Sequence, residues 1–199
     1  VRDGGGAIIA ESFVIFGDGG AGQDITNPFS FLGESFNYAV LSGGAYDMNP
    51  ASSVIGETKM NAGLVDVPDP REKHPSDLSR TAYIAKVKEA LDAGSADVVE
   101  SCNSSFSKAG ASIVFCSGVF DGDINNRLEG MVVVAEQGVS DANVKDDVSV
   151  SVVSGGSISF QGFGNNRIEG LVWAAGSISF GGRSNIYGSV VSSGAVSFN

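Results

Sequence analysis

Three stretches near the end of the chain alternate apolar and polar positions with a period of two. Gly156-Ser157-Ile158-Ser159-Phe160 recurs as Gly176-Ser177-Ile178-Ser179-Phe180 and again as Gly194-Ala195-Val196-Ser197-Phe198, in steps of twenty and eighteen residues. Gly110-Ala111-Ser112-Ile113-Val114-Phe115 reads as an earlier member of the same set. In an extended strand successive side chains point to opposite faces, so Ile and Phe share one side and the serines the other. One such strand cannot bury its apolar face alone. Strands stacked at a fixed sequence period build a continuous core, with Ile over Ile and Phe over Phe.

A second phrase interleaves with the first. Asn125-Asn126-Arg127-Leu128-Glu129-Gly130 returns forty positions later as Asn165-Asn166-Arg167-Ile168-Glu169-Gly170. Degenerate copies are Ser184-Asn185-Ile186-Tyr187-Gly188 and, far earlier, Ser53-Val54-Ile55-Gly56. Each leads into a small or apolar run: MVVVAEQG, LVWAAG, SVVSSG and ETKMNAG. A period near twenty is one coil of a β-solenoid. The expected fold is therefore mainly β, a short right-handed parallel β-helix with one packed α-helix. Ser140 to Val148 is polar and separates the two Asn-Asn-Arg copies, either as an extruded loop or as an irregular coil.

The helix is expected after the proline-rich loop VPDPREKHPSD. Ser76 or Asp77 suits its N-cap, and Gly94 suits the C′ position. Tyr83, Ile84, Val87, Ala90 and Leu91 fall on one face. It packs back on one side of the solenoid or covers an open end, where bare strand edges invite polymerisation. Residues 1–35 read as an irregular strand and loop segment, with a strand around Ile8–Phe16. Residues 36–199 read as the solenoid, opening on a strand at Tyr38–Leu41 and carrying the helical insertion at about 68–100.

Composition changes the picture in three ways. Glycine supplies 28 of 199 residues without a collagen period, as a chain of many turns needs. The net charge of −11 repels nucleic acid and anionic lipid surfaces, and no basic cluster offsets it. Only two cysteines occur, Cys102 and Cys116. They are expected to form one disulfide, in place of two buried thiols, which favours an extracellular or periplasmic setting. No apolar run is long enough to span a bilayer, and a chain opening on Val1 is expected to have lost an N-terminal anchor or signal.

Candidate chemistry is sparse. His74, the single histidine, lies in the proline-rich loop, which leaves a His-based triad or metal site hard to build. Gly19-Gly20-Ala21-Gly22-Gln23-Asp24 matches one copy of a calcium repeat that works in tandem. Asp121-Gly122-Asp123-Ile124-Asn125 resembles the start of an EF-hand loop that then fails, with Asn126 at the glycine position and Val132 at the bidentate position. Asp24, Asp121 and Asp123 are thus the metal candidates, with calcium the only cofactor to consider. Asp121 and Asp123 also raise a carbohydrate-active β-helix enzyme, although outward serines make its groove shallow. Trp173 and Tyr187 fall at comparable coil positions. Outward they form a stacking platform for sugars or a protein partner; inward they are core. An ice-binding solenoid would want regular outward threonine rows, and these rows are serine.

Three phrases together resemble the ectodomains of PilX-like, type IV pilus-associated proteins of bacteria. They are Phe36-Asn37-Tyr38-Ala39-Val40-Leu41-Ser42-Gly43-Gly44, then Val54-Ile55-Gly56 with Met60-Asn61-Ala62-Gly63-Leu64, then the glycine-punctuated C-terminal coils. The resemblance implies a small parallel β-helix exposed outside the cell behind an N-terminal membrane helix, with no catalytic residues to carry over. The expected function is a non-catalytic structural or adhesion domain attached to the cell surface, with protein partners in a surface assembly or surface polysaccharide as ligand. The alternatives are a self-polymerising, bactofilin-like filament and the β-helix enzyme.

Overall fold

The computed structural model describes residues 7–9, 25–28, 38–42, 46–48, 53–55, 57–59, 75–107 and 110–199. Among the described residues the polypeptide is a β-solenoid of about five turns with one α-helix. In chain order its strands are β1 (Ala7–Ile9), β2 (Tyr38–Ser42), β3 (Tyr46–Met48), β4 (Ser53–Ile55) and β5 (Glu57–Lys59). The helix α1 (Pro75–Asp92) follows. Then come β6 (Val98–Glu100), β7 (Ile113–Cys116), β8 (Val119–Phe120), β9 (Met131–Ala135), β10 (Gly138–Asn143) and β11 (Val148–Ser154). The last strands are β12 (Ser157–Gly162), β13 (Arg167–Ala174), β14 (Ile178–Phe180), β15 (Asn185–Ser192) and β16 (Val196–Phe198).

Two parallel sheets wind around one core. The smaller has six strands in the order β3-β16-β14-β12-β10-β8. Its register puts Ile158 beside Ile178, and Ile178 beside Val196. All three are buried in one cluster, so the columns expected from the Ser-Ile-Ser-Phe phrases exist. Phe180 stacks nearly parallel on Phe160 and Phe198, with ring centroids 5.4 and 4.7 Å apart. Equal side chains one coil apart present equal surfaces, so offset stacking repeats without a steric mismatch.

The larger sheet has ten strands, with β6-β7-β9-β11-β13-β15 as its central path. Its strands read as nearly unbroken apolar runs because both faces are covered. Val114, Val133, Val152, Val172 and Val190 form the inner column. Phe115, Val134, Val153, Trp173 and Val191 form the outer column. These outer residues pack with Tyr83 and Val87 of α1 in a second cluster. The phrase at Gly110 therefore belongs here, as β7 beside β9, and not with the Ser-Ile-Ser-Phe set.

The helix lies across the strands on this outer face. Eighteen residues rise about 27 Å, and the five gaps from β6 to β15 span about 24 Å. It begins at Pro75, so Ser76 and Asp77, expected as N-caps, fall inside its first turn; proline is favoured at that first position because its absent N–H costs nothing there. Gly94 takes the predicted C′ role at φ 73°. Its N–H donates to Leu91 O, and the Ser95 N–H donates to Ala90 O, both at 2.9 Å. That pair of bonds is a Schellman closure.

The coils are not stacked in chain order. The first half of β15 pairs with β1, and β1 with β4, which sets Ile168, Ile186, Ile8 and Val54 in one register line. The second half of β15 pairs with β2, and β2 with β5. β3 pairs with β16. The N-terminal strands thus extend the C-terminal end of the solenoid, and β1, within the segment expected to be irregular, is one of its rungs. The chain then returns along α1 and restarts at β6. Residues 10–16 of the predicted first strand lie outside the described residues.

The polar stretch from Ser140 to Val148 belongs to an irregular coil and is not an extruded loop. Val148 pairs with Ile168, and the bonds from Asn126 N to Asp146 and from Arg167 N to Asp147 each step one coil of 20 residues. Two register shifts, between Val139 and Ala142 and between Ala142 and Asn143, flank the positive φ of Asp141, 53°.

The other end of the solenoid closes differently. After β6 the first coil is cut short. Ser101 N donates to Phe115 O, and one residue on, Cys102 O accepts from Asp121 N on the far side of the following coil. Residues 101–107 therefore cross the end of the core, and Cys102 and Phe106 pack half-buried against it.

Candidate binding surface

Cys102 and Cys116 lie at disulfide distance, 2.03 Å, across a separation of 14 residues, as expected. The bond ties the crossing segment to β7, and the chain-entropy contribution for such a loop is about 3 kcal/mol.

Trp173 and Tyr187, expected at equivalent positions, are not equivalent. Trp173 pairs with Val191, whereas Tyr187 pairs with Glu169. Trp173 is wholly buried beneath α1, so it is no part of a surface platform. It is core, but the core between sheet and helix and not the interior of the solenoid. Its indole N–H has no hydrogen-bond partner among the described residues. Tyr187 is 40% exposed.

Around Tyr187 the Glu-Gly phrases build a polar facet. The Arg167 guanidinium sits 5.2 Å over the Tyr187 ring. Its Nε lies 3.0 Å from Glu169 Oε1 and 4.0 Å from Asp147 Oδ2. Ser149 N donates to Glu129 at 2.9 Å, and Ser149 Oγ donates to Glu169 at 3.5 Å. Two adjoining depressions of about 240 and 170 Å³ share Ser149 and Glu169, and Thr26, Asn27 and Pro28 form one wall of the larger. Enclosed small-molecule sites are usually about 300–1,000 Å³. This geometry offers contact to a flat or extended partner.

The broader surface is the outer side of the six-stranded sheet. Ser159, Ser179 and Ser197 stand in one register line, flanked by the exposed Ser157 and Ser177. The serines are tied along the axis: Ser177 N donates to Ser157 Oγ, Asn199 Nδ2 to Ser179 Oγ and Ser159 Oγ to Asp141, each at 3.2 Å.

Asp123 accepts from Asn143 Nδ2 at 3.3 Å, while Asp121 closes the end of the first coil through its backbone. No group of three or more His, Cys, Asp or Glu suited to a metal occurs among the described residues. Asp24, with its glycine repeat, and His74 lie outside the described residues. Comparison with family models, curated proteins and solved structures returned no match.

Sequence reasoning did not single out Arg80, a polar residue outside the apolar stripe of the helix. It is 4% exposed, and its Nη1 donates to Ala174 O at 3.1 Å and Ser193 Oγ at 3.3 Å. The only signal available was its position one turn ahead of Tyr83 and Ile84.

Proposed function

We propose that this chain is a non-catalytic surface or periplasmic domain with a structural or adhesive role, exposed in a pilus-type or comparable assembly. A disulfide-tied end supports an oxidising compartment, and no helix among the described residues is long and apolar enough to cross a membrane. The observation that carries the role is the serine face. Three rungs of small, uncharged side chains lie flat over a stacked phenylalanine column, so the face is rigid and its desolvation is cheap compared with a charged surface. A neutral polysaccharide or a flat protein partner fits that chemistry. The filament alternative is less supported, because a crossing segment covers one end of the coil stack.

The test is retention of the purified domain on insoluble polysaccharides and on cell-surface fractions. We expect retention that Ser159→Lys with Ser179→Lys reduces at least tenfold while the circular dichroism is unchanged. Equal retention of wild type and variant removes the face from the proposal. Release of soluble sugar, with or without calcium, would replace it with the enzyme reading.

A further inference from the structure

We propose that the trough at the Glu-Gly phrases binds a neutral, linear glycan, with the Tyr187 ring as its stacking platform. The site is separate from the serine face and stands without it. Its residues come from four successive coils. Ser149 pairs in register with Glu169, and Glu169 with Tyr187. Glu129 joins the line from the coil before, accepting from Ser149 N at 2.9 Å. Rungs about 4.8 Å apart spread these four side chains over about 14 Å along the solenoid axis. A lone sugar ring reaches one or two of them, whereas an oligomer lying along the axis meets the whole line.

The fold keeps this strip open and gives it a wall. Further along the same strands Leu171 and Trp173 are buried with the α1 residues Tyr83 and Val87. Ser149 and Glu169 are only half-buried, and Glu129 and Tyr187 are exposed. Thr26, Asn27 and Pro28 line the far side of the larger depression. That wall is fixed to the helix, because the Tyr83 hydroxyl donates to Ile25 O at 2.7 Å. Gly130 and Gly170, the glycines of the two Glu-Gly phrases, line the same depression without side chains to fill it. A Cβ at Gly170 would collide with Val150 O, so the gap there is built into the strand.

The chemistry selects the ligand. Tyr187 is one of two large apolar side chains exposed among the described residues, and the Arg167 guanidinium lies over its ring. Glu169 and Asp147 hold that guanidinium at 3.0 and 4.0 Å, so the polar groups around the ring are ordered before a ligand arrives. A pyranose divides in the same way, with a C–H face that stacks on an aromatic ring and an edge of hydroxyls that donate and accept. Carboxylates accept from such hydroxyls, and Arg167 and the Ser149 hydroxyl can donate to them. Three carboxylates against one guanidinium repel a uronate or sulfated chain. An extended peptide gains no ladder here, because the backbone groups of β11, β13 and β15 are already used in parallel pairing.

The experiment is calorimetric titration of the whole chain with soluble cello-, manno- and N-acetylated chito-oligosaccharides, with oligogalacturonate and a lysine-rich peptide as controls. At least one neutral series should bind, more tightly as it lengthens. Tyr187→Ala and Glu169→Gln should each weaken that binding by about tenfold or more at unchanged circular dichroism. Ser159→Lys with Ser179→Lys should leave it within about twofold, because those serines lie on the other sheet. Absence of binding by every neutral series overturns the proposal, as does an unchanged affinity in Tyr187→Ala. Tighter binding of oligogalacturonate or of the peptide also overturns it. A blank titration beside serine-dependent retention on insoluble polysaccharide would strike the trough and leave the serine face standing.

Discussion

Phe180 is held on both sides by parallel rings and on a third by Phe163, whose ring centroid lies 6.2 Å away. Replacing it removes the middle of a stack, and the neighbouring rungs cannot collapse without breaking their ladders. Phe180→Ala should cost about 3–5 kcal/mol, measured by denaturant unfolding; a loss below about 1 kcal/mol would show that the column is not the core. Trp173 makes a contrasting case. Its bulk is needed under α1, but its N–H is buried without a partner among the described residues. Trp173→Phe keeps most of the contact and removes the unsatisfied donor, so its cost should stay within about 1 kcal/mol, whereas Trp173→Ala should approach the phenylalanine figure. Gly188 tolerates no side chain: a Cβ would collide with Gly170 O, and φ is 148°. Gly188→Ala should therefore destabilise more than an ordinary glycine substitution, which thermal melting will show.

At the scale of elements, α1 is the part whose role the chain pattern hid. Its apolar face was legible, but a helix-period stripe reports only that something is covered. The register of the large sheet decides what. Arg80 pins one end to the turns after β13 and β15, and the Tyr83 hydroxyl donates to Ile25 O at 2.7 Å. Arg80→Ala should weaken that docking and shift the emission of the single tryptophan to the red before the solenoid melts. Coincident fluorescence and dichroism transitions would mean that helix and sheet unfold as one. The paired Asn-Asn-Arg phrases make the same point. The first forms a 3-10 turn at Asn126–Leu128, capped by Asn125 Oδ1. The second is drawn into β13 because β11 and β15 pair with it on both sides. One hexapeptide pattern takes two conformations because the number of neighbouring rungs differs.

At the scale of the molecule, the rungs fall into two classes. Within residues 98–199 neighbouring strands are about one coil apart in sequence. At the junction of β1 with β15, Ala7 pairs with Asn185 across almost the whole chain. Loop closure favours the local coils first. In pulsed hydrogen exchange, amides of β11 and β13 should be protected before those of β1 and β2; the reverse order would mean that the N-terminal strands nucleate the fold.

The sequence alone determined the parallel coil, its period near twenty, the Ile and Phe columns, the helix with its C-terminal cap and the cysteine pairing. Each rests on local spacing or on a repeat that aligns with itself, and such information is carried within one or two coils. Only the tertiary structure decided that the N-terminal strands join the C-terminal end, that Trp173 faces the helix, that Arg80 is buried and that the first coil is cut short over the core. These depend on contacts between segments that share no period, where apolar surface left by one part is covered by another that no spacing rule connects to it.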